Sequence, residues 1–150
     1  MATKPVLVDT SAWLHALRKE SVPAVKSRVD ELLKDNLVIT TAMIKLELLG
    51  GTRTDKEFRR LKTYLDALDE VEIDDGQWEK AYELSFSLRR KGLTVPYTDI
   101  LIAACALTAD LTIMHVDVHF DAISKQIGLA VESHVKTVRS FSRDYKRISS

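Results

Sequence analysis

The chain has 150 residues, 45% of them hydrophobic and 29% charged, a mix that suits one domain with a sizeable core. Lys plus Arg equal Asp plus Glu at 22 each, so no global field steers the protein to nucleic acid or to a lipid surface, and any such attraction must come from local patches. The longest apolar run (100–107) is too short to span a bilayer, "MATKPVLVDT" contains no secretory apolar segment, and the single Cys105 supports neither a disulfide nor a thiolate metal site.

Strand-like and helix-like patterns alternate along the chain. Val6, Leu7 and Val8 read as a buried strand that ends on a carboxylate, Asp9, and a short helix follows from about Ser11. In "SVPAVKSRVDELLKD", Val22, Val25, Val29, Leu32 and Leu33 share one helical face, with Ser21 as N-cap and Pro23 in the first turn. "LVI" (37–39) is a second strand. Thr40 or Thr41 caps the helix "AMIKLELL", which stops at Gly50-Gly51. "TDKE" (54–57) reads as a capping box ahead of Phe58, Leu61, Leu65 and Leu68 at helical spacing. "VEI" (71–73) is a third strand, and the helix after it turns Trp78, Ala81 and Tyr82 inward before closing at Gly92. "DILIAACAL" is apolar all round, hence a buried helix in which Cys105 is a small hydrophobe. "TIMHV" (112–116) is a fourth strand, "HFDAISKQIG" a short helix and "LAV" (129–131) a fifth strand.

This alternation implies right-handed crossovers. It predicts a single-domain three-layer α/β/α fold around a central, mostly parallel five-stranded sheet. Residues 1–135 form that domain, and 136–150 form a basic C-terminal tail. In such sheets ligands bind at the carboxyl ends of the strands, where the winding reverses. With one reversal the first and fourth strands become neighbours, so Asp9 and Asp117, each just past its strand, face one crevice. Asp99 opens the buried helix, and its loop can deliver it to the same end. Glu47 sits on a helix where almost every neighbour is apolar or small, so it faces solvent, a partner or the site.

Each acid also has a plainer reading. Asp9 and Asp99 stand where helix N-caps stand, Asp117 where a turn former stands, and Glu47 on what can be a solvated helix face. The joint pattern favours a site. Carboxylates crowded into one crevice raise one another's pKa, and magnesium or manganese relieves this because hard cations take carboxylate oxygens. A cation so held activates water and clamps a phosphodiester. No Ser-His-Asp or Cys-His arrangement competes, and His15, His115, His119 and His134 lack zinc-ligand spacing.

Through "VLVDTSAWL", "TTAMIKLELLGG", "YTDILIAACA" and "IMHVDVHFDAI", in this order, the chain resembles the PIN-domain nucleases over about residues 5–133. It is most similar to their VapC-type members, the toxin ribonucleases of toxin–antitoxin pairs. The resemblance implies that Asp9, Glu47, Asp99 and Asp117 are the catalytic acids and that Asp9, Asp99 and Asp117 ligate Mg or Mn. It implies a supporting role for Ser11, which orients Asp9 or a metal water. His119 stands where many relatives carry another acid and is a second supporting candidate; Asp121 reads as the exposed start of a short helix. The implied activity is metal-dependent hydrolysis of RNA; the short apolar runs, the lack of a secretory segment and the single cysteine suggest the cytoplasm. The implied partners are a small antitoxin, received in an apolar groove around 22–33 and 58–68, and a second copy of the chain in a homodimer; no membrane is involved. The tail "KTVRSFSRDYKR" (136–147) carries five basic residues and one acid. It either contacts RNA or packs Val138, Phe141 and Tyr145 on the domain or a second subunit. Two competing readings remain: a PIN-like RNA- or protein-binding module without catalysis, and a haloacid-dehalogenase-type phosphatase. The latter wants a second Asp two residues after the first, where this chain has Ser11. A response-regulator receiver wants an acidic pair that neither the first nor the fourth strand ends on.

Overall fold

Val6, Leu7 and Val8 are buried on both faces of the sheet, as the central strand of a parallel sheet must be. In the computed structural model, which describes residues 4–149, they form β1 (Val6–Val8). Residues 1–3 and 150, the outer ends of the expected domain and tail, lie outside the described residues. The chain continues through α1 (Thr10–Leu17), α2 (Pro23–Lys34), β2 (Val38–Thr41), α3 (Ala42–Gly50), α4 (Asp55–Asp66) and β3 (Asp69–Val71). Then come α5 (Asp75–Arg90), α6 (Tyr97–Ala109), β4 (Thr112–His115), α7 (Val118–Gln126), β5 (Val131–Ser133) and α8 (Val135–Ser149). Among the described residues no helix is long and apolar enough to cross a membrane.

The strand order is β3-β2-β1-β4-β5, and every pairing is parallel. The chain winds from β1 out to β3, crosses back to β4 on the other side of β1, and ends at β5. The reversal therefore lies between β1 and β4, as the alternation of patterns predicts. Val8 pairs with Met114, and the Asp9 N–H donates to the Met114 carbonyl at 2.9 Å, so the two strands end within one residue of each other. From Asp99 to Ala106, α6 is buried on every side. Ala103, Ala104, Cys105 and Ala106 keep its surface small in the core, and burial pushes the Cys105 thiol up to about 11.

Several expected details shift, each for a physical reason. The outer strands lie two residues later or earlier than their apolar triplets: β3 is 69–71 rather than 71–73, and β5 is 131–133 rather than 129–131. Both are edge strands with half-buried or exposed side chains, so backbone pairing rather than hydrophobic burial sets their limits. The N-cap of α2 is Val22, without a side-chain bond, rather than Ser21; Pro23 does stand in the first turn. Thr54 caps α4 by accepting from the Glu57 N–H, but the Glu57 carboxylate accepts from Arg53 N–H instead of closing the box; the reciprocal box is at Asp74 and Gln77. On α5 only Ala81 of the three expected inward residues is buried. Trp78 and Tyr82 are 43% and 60% exposed, and the inward face is Ala81, Leu84 and Leu88. The expected tail is a regular helix, α8. Val135 is buried and Val138 packs against the core, while Phe141, Tyr145 and Ile148 on the same stripe are exposed.

Candidate active site

Asp9 is the first residue past β1 and the N-cap of α1. Its Oδ2 accepts from the Ser11 N–H at 3.0 Å and from the Ser11 hydroxyl at 2.6 Å. The same hydroxyl oxygen accepts at 2.9 Å from the N–H of Val116, the residue just past β4. One small side chain thus ties the two strand ends together across the reversal and fixes the Asp9 carboxylate. Burial raises the pKa of Asp9, the Ser11 bonds pull it down, and the charge of Asp117 pushes it up.

Asp117 caps α7 in the same manner, its Oδ1 accepting from the His119 N–H at 2.9 Å. Its own N–H donates to Nδ1 of His115 at 3.0 Å. His115 closes β4 and is wholly buried, and burial lowers its pKa. The ring is therefore neutral, with its proton on Nε2, because Nδ1 is the acceptor. Nε2 lies 3.3 Å from Asp121 Oδ1, close but without hydrogen-bond alignment. Asp121 is half-buried rather than exposed, and it also accepts from the Ser133 hydroxyl at 2.9 Å. His115 is a positioning residue that the sequence reading overlooks. Its signal is its place two residues before Asp117, at the mouth of an apolar strand.

Asp99 is the third residue of α6, whose N-cap is Pro96, so this carboxylate caps nothing. It is 7% exposed. Its Oδ2 lies 3.0 Å from His119 Nδ1, and the same nitrogen lies 3.1 Å from Asp117 Oδ1. Burial first, then the charges of Asp117 and Asp9, push Asp99 up to about 7 against the pull of His119. Glu47 stands on the exposed side of α3 with its Oε1 accepting from the Thr10 hydroxyl at 3.0 Å. Partial burial of its carboxylate raises its pKa, Thr10 lowers it, and Asp9 and Asp117 add a further rise. Lys45, two residues earlier, holds α3 against α4 through Asp66 at 2.7 Å.

The four acids thus gather around the β1/β4 reversal. Among the described residues the tightest set of convergent donors is Asp99, Asp117 and His119, whose ligand atoms all lie within 4.8 Å of one another. Asp9 and Glu47 stand outside that set, each coupled to it by charge. Cap and site are not alternatives at Asp9 and Asp117, which serve as caps within the cluster; at Asp99 the cap reading fails. The partners of the acids are hydroxyls, backbone N–H groups and one imidazole, and burial, with the repulsion of Asp117 and Asp9 added to it, pushes Asp99 up to about 7. A donor set of this kind fits a hard divalent cation, which removes that repulsion.

The crevice opens into a cavity of about 350 Å³ whose lining includes Ser11, His15, Asp117 and Arg139. A separate cavity of about 400 Å³ lies between the end of α1 and α4, lined by Leu17, Leu61 and Tyr64 among others. The apolar residues Val25, Val29 and Leu32 of α2 are spent in the core, so α1 rather than α2 forms the wall opposite α4.

The family model described as PIN domain matches residues 6–126. Over 125 residues the chain is 33% identical to Ribonuclease VapC21 of Mycobacterium tuberculosis, covering 81% of this chain and 88% of that protein. Over 133 residues it is 32% identical to Ribonuclease VapC11 of the same organism, covering 85% and 98%. Among solved structures, VapBC2 of Rickettsia felis bound to a promoter DNA fragment aligns with a TM-score of 0.71 at 20% identity, over 85% of this chain and 97% of that one. FitAcB of Neisseria gonorrhoeae aligns with a TM-score of 0.66 at 21% identity, over 84% and 95%. These structural likenesses concern the fold.

Proposed function

This chain belongs to the PIN-domain family, and from that premise we propose that it is a VapC-type ribonuclease, the toxin of a toxin–antitoxin pair, that hydrolyses RNA phosphodiester bonds at the acid crevice. The observation that carries this reading is the convergence of Asp99, Asp117 and His119, with Asp9 and Glu47 beside them, at the carboxyl ends of β1 and β4 where the winding reverses. Asp9, Asp99 and Asp117 would hold a divalent cation, Mg or Mn. When bound, that cation neutralises the acids and polarises water and phosphate.

The chain's own residues do the positioning. Ser11 fixes the Asp9 carboxylate and locks the ends of β1 and β4 together. His119 is a supporting residue whose Nδ1 bridges Asp99 and Asp117 and sets their separation. Thr10 orients Glu47 through Oε1, leaving Oε2 to take the proton of the attacking water. A raised pKa makes Glu47 a better proton acceptor than an ordinary carboxylate.

The test is cleavage of single-stranded RNA by the purified protein with magnesium, with manganese and with excess chelator. Cleavage that survives the chelator contradicts the metal-held mechanism. A protein that binds RNA but cleaves none with either metal is the silent binding module.

A small antitoxin is the proposed protein partner, seated on the cavity lined by Leu17, Leu61 and Tyr64, because a largely apolar pocket between the end of α1 and the side of α4 suits an amphipathic segment. An Arg from such a partner reaching the acids would replace the charge of the cation. A homodimer is proposed through α5 and α6, which expose Trp78, Tyr82, Phe86 and Tyr97 around a cavity of about 600 Å³. The cytoplasm is the proposed compartment. Residues 1–135 are proposed as the nuclease domain and 136–150 as an appended basic tail.

A further inference from the structure

An acid crevice repels the polyanion it is proposed to cut, and a chain of zero net charge supplies no general attraction. The cations must therefore be local and close to the crevice. The cavity that opens onto Ser11 and Asp117 shares Val118, Val135 and Arg139 with a second cavity of about 660 Å³, so Arg139 lines both. Lys125 from α7 and Lys136 from α8 line the second cavity. Among the described residues no acid pairs with Lys125, Lys136 or Arg139, and all three are exposed. The one acid of the second cavity, Asp121, already accepts a hydrogen bond from Ser133.

The sequence extends this path outward. Lys136, Arg139 and Arg143 recur at i, i+3 and i+7, which sets them in one row along α8. With Lys146 and Arg147 the helix carries five cations against the single acid Asp144. α8 lies beyond the 6–126 span that the family model matches.

We propose that Lys125, Lys136 and Arg139 form a phosphate-binding groove that leads a single RNA strand along α7 and α8 into the crevice at Asp117. The proposal rests on the ribonuclease reading and adds the route by which substrate enters. Three cations lining a cavity that adjoins the crevice, two of them one helical turn apart, suit a flexible chain of phosphates. Phosphate contacts of this kind position the strand without reading its sequence.

The test uses Asp99→Asn as a non-cleaving background and a short fluorescein-labelled single-stranded RNA of mixed sequence. Anisotropy titrations at about 50 to 200 mM salt compare that background with the same chain carrying Lys125→Gln, Lys136→Gln and Arg139→Gln together. Three lost phosphate contacts lower the salt slope by about 2, and affinity at the low-salt end falls by about tenfold or more. Arg139→Lys alone keeps the slope, since it keeps the charge. Thermal melts establish that each variant is folded. Unchanged RNA affinity and slope in the triple variant overturn the groove. If the triple variant instead loses affinity for a poly-glutamate peptide and keeps its RNA affinity, the groove receives an acidic protein segment and the proposal is wrong. Wild-type cleavage alongside unchanged binding by the triple variant removes the groove and leaves the nuclease. Failure of the wild type to cleave RNA together with failure of the background to bind it removes both.

Discussion

Helices α6 and α8 are 13 and 15 residues long and carry the two charges the proposed reaction needs, but they are placed by opposite means. α6 is buried from Asp99 to Ala106, so its central turns are held by the core on every side. It delivers one carboxylate into a nearly dry position, where desolvation and two neighbouring acids hold its pKa far above the ordinary range. α8 is apolar along one stripe only, and just its first turns are anchored, through Val135 and Val138. It delivers cations into water, where each is screened and none is individually decisive. The difference teaches where precision is needed. A charge that acts at bonding distance on a reacting group is set by packing, whereas charges that gather a polyanion act by number and are left on a lightly held helix.

The largest expected effect breaks the α6 side of this comparison. Asp99→Asn keeps size and polarity but removes the charge, and RNA cleavage falls about 10³-fold or more, within the range for loss of a group that acts on the reacting atoms. The fold survives, because this carboxylate caps no helix. Initial rates with magnesium or manganese check it, and cleavage within threefold or so of wild type takes Asp99 out of the machinery.

A pair of truncations compares the helices as pieces of structure. Ile102 is fully buried on α6, and Ile102→Ala costs about 2–5 kcal/mol. Ile148 on α8 is 86% exposed, and Ile148→Ala stays within about 0.5 kcal/mol of wild type. Urea denaturation measures both, and a loss above about 2 kcal/mol at Ile148 shows that α8 is covered in solution by something the monomer lacks.

Asp99 has a folded pKa of about 7 against about 3.9 unfolded, so the folded state binds its proton more tightly. Its favourable contribution is complete below about pH 4 and is lost as pH rises through 7. Asp9 and Glu47, also raised, add the same sign. The metal-free protein therefore loses stability over that window, by at most about 1.4 kcal/mol per pH unit for one proton. In Asp99→Asn the corresponding part of the slope disappears. Denaturant midpoints from pH 5 to pH 8 in chelator, wild type against variant, provide the check; parallel curves contradict the burial and crowding of this carboxylate.

Much of this was legible in the sequence because it rests on periodicity. An all-apolar helix, apolar triplets for the central strands and one reversal of winding suffice to bring Asp9 beside Asp117. The parts that were not legible depend on which of several equivalent faces the core selects. Trp78 and Tyr82 look inward on α5 by size and spacing, yet Ala81, Leu84 and Leu88 fill the same role with less bulk against α6. The edge strands carry too little buried surface to mark their own limits. His115 escapes notice because a tautomer fixed by a backbone N–H leaves no trace in hydropathy. The cap reading of Asp99 fails only because Pro96 starts the helix three residues earlier, a boundary that composition does not fix.

The central claim is that these carboxylates converge on a cation rather than merely ending strands and starting helices. Thermal melts at neutral pH of wild type and Asp99→Asn, in chelator and in millimolar magnesium or manganese, test it most directly. Metal is expected to stabilise wild type by about 2.7 kcal/mol when free metal is a hundred times the dissociation constant. Asp99→Asn is expected to be at least as stable as wild type in chelator and to respond little to either metal. A wild-type melting temperature indifferent to both metals, with no gain in the variant, would contradict it.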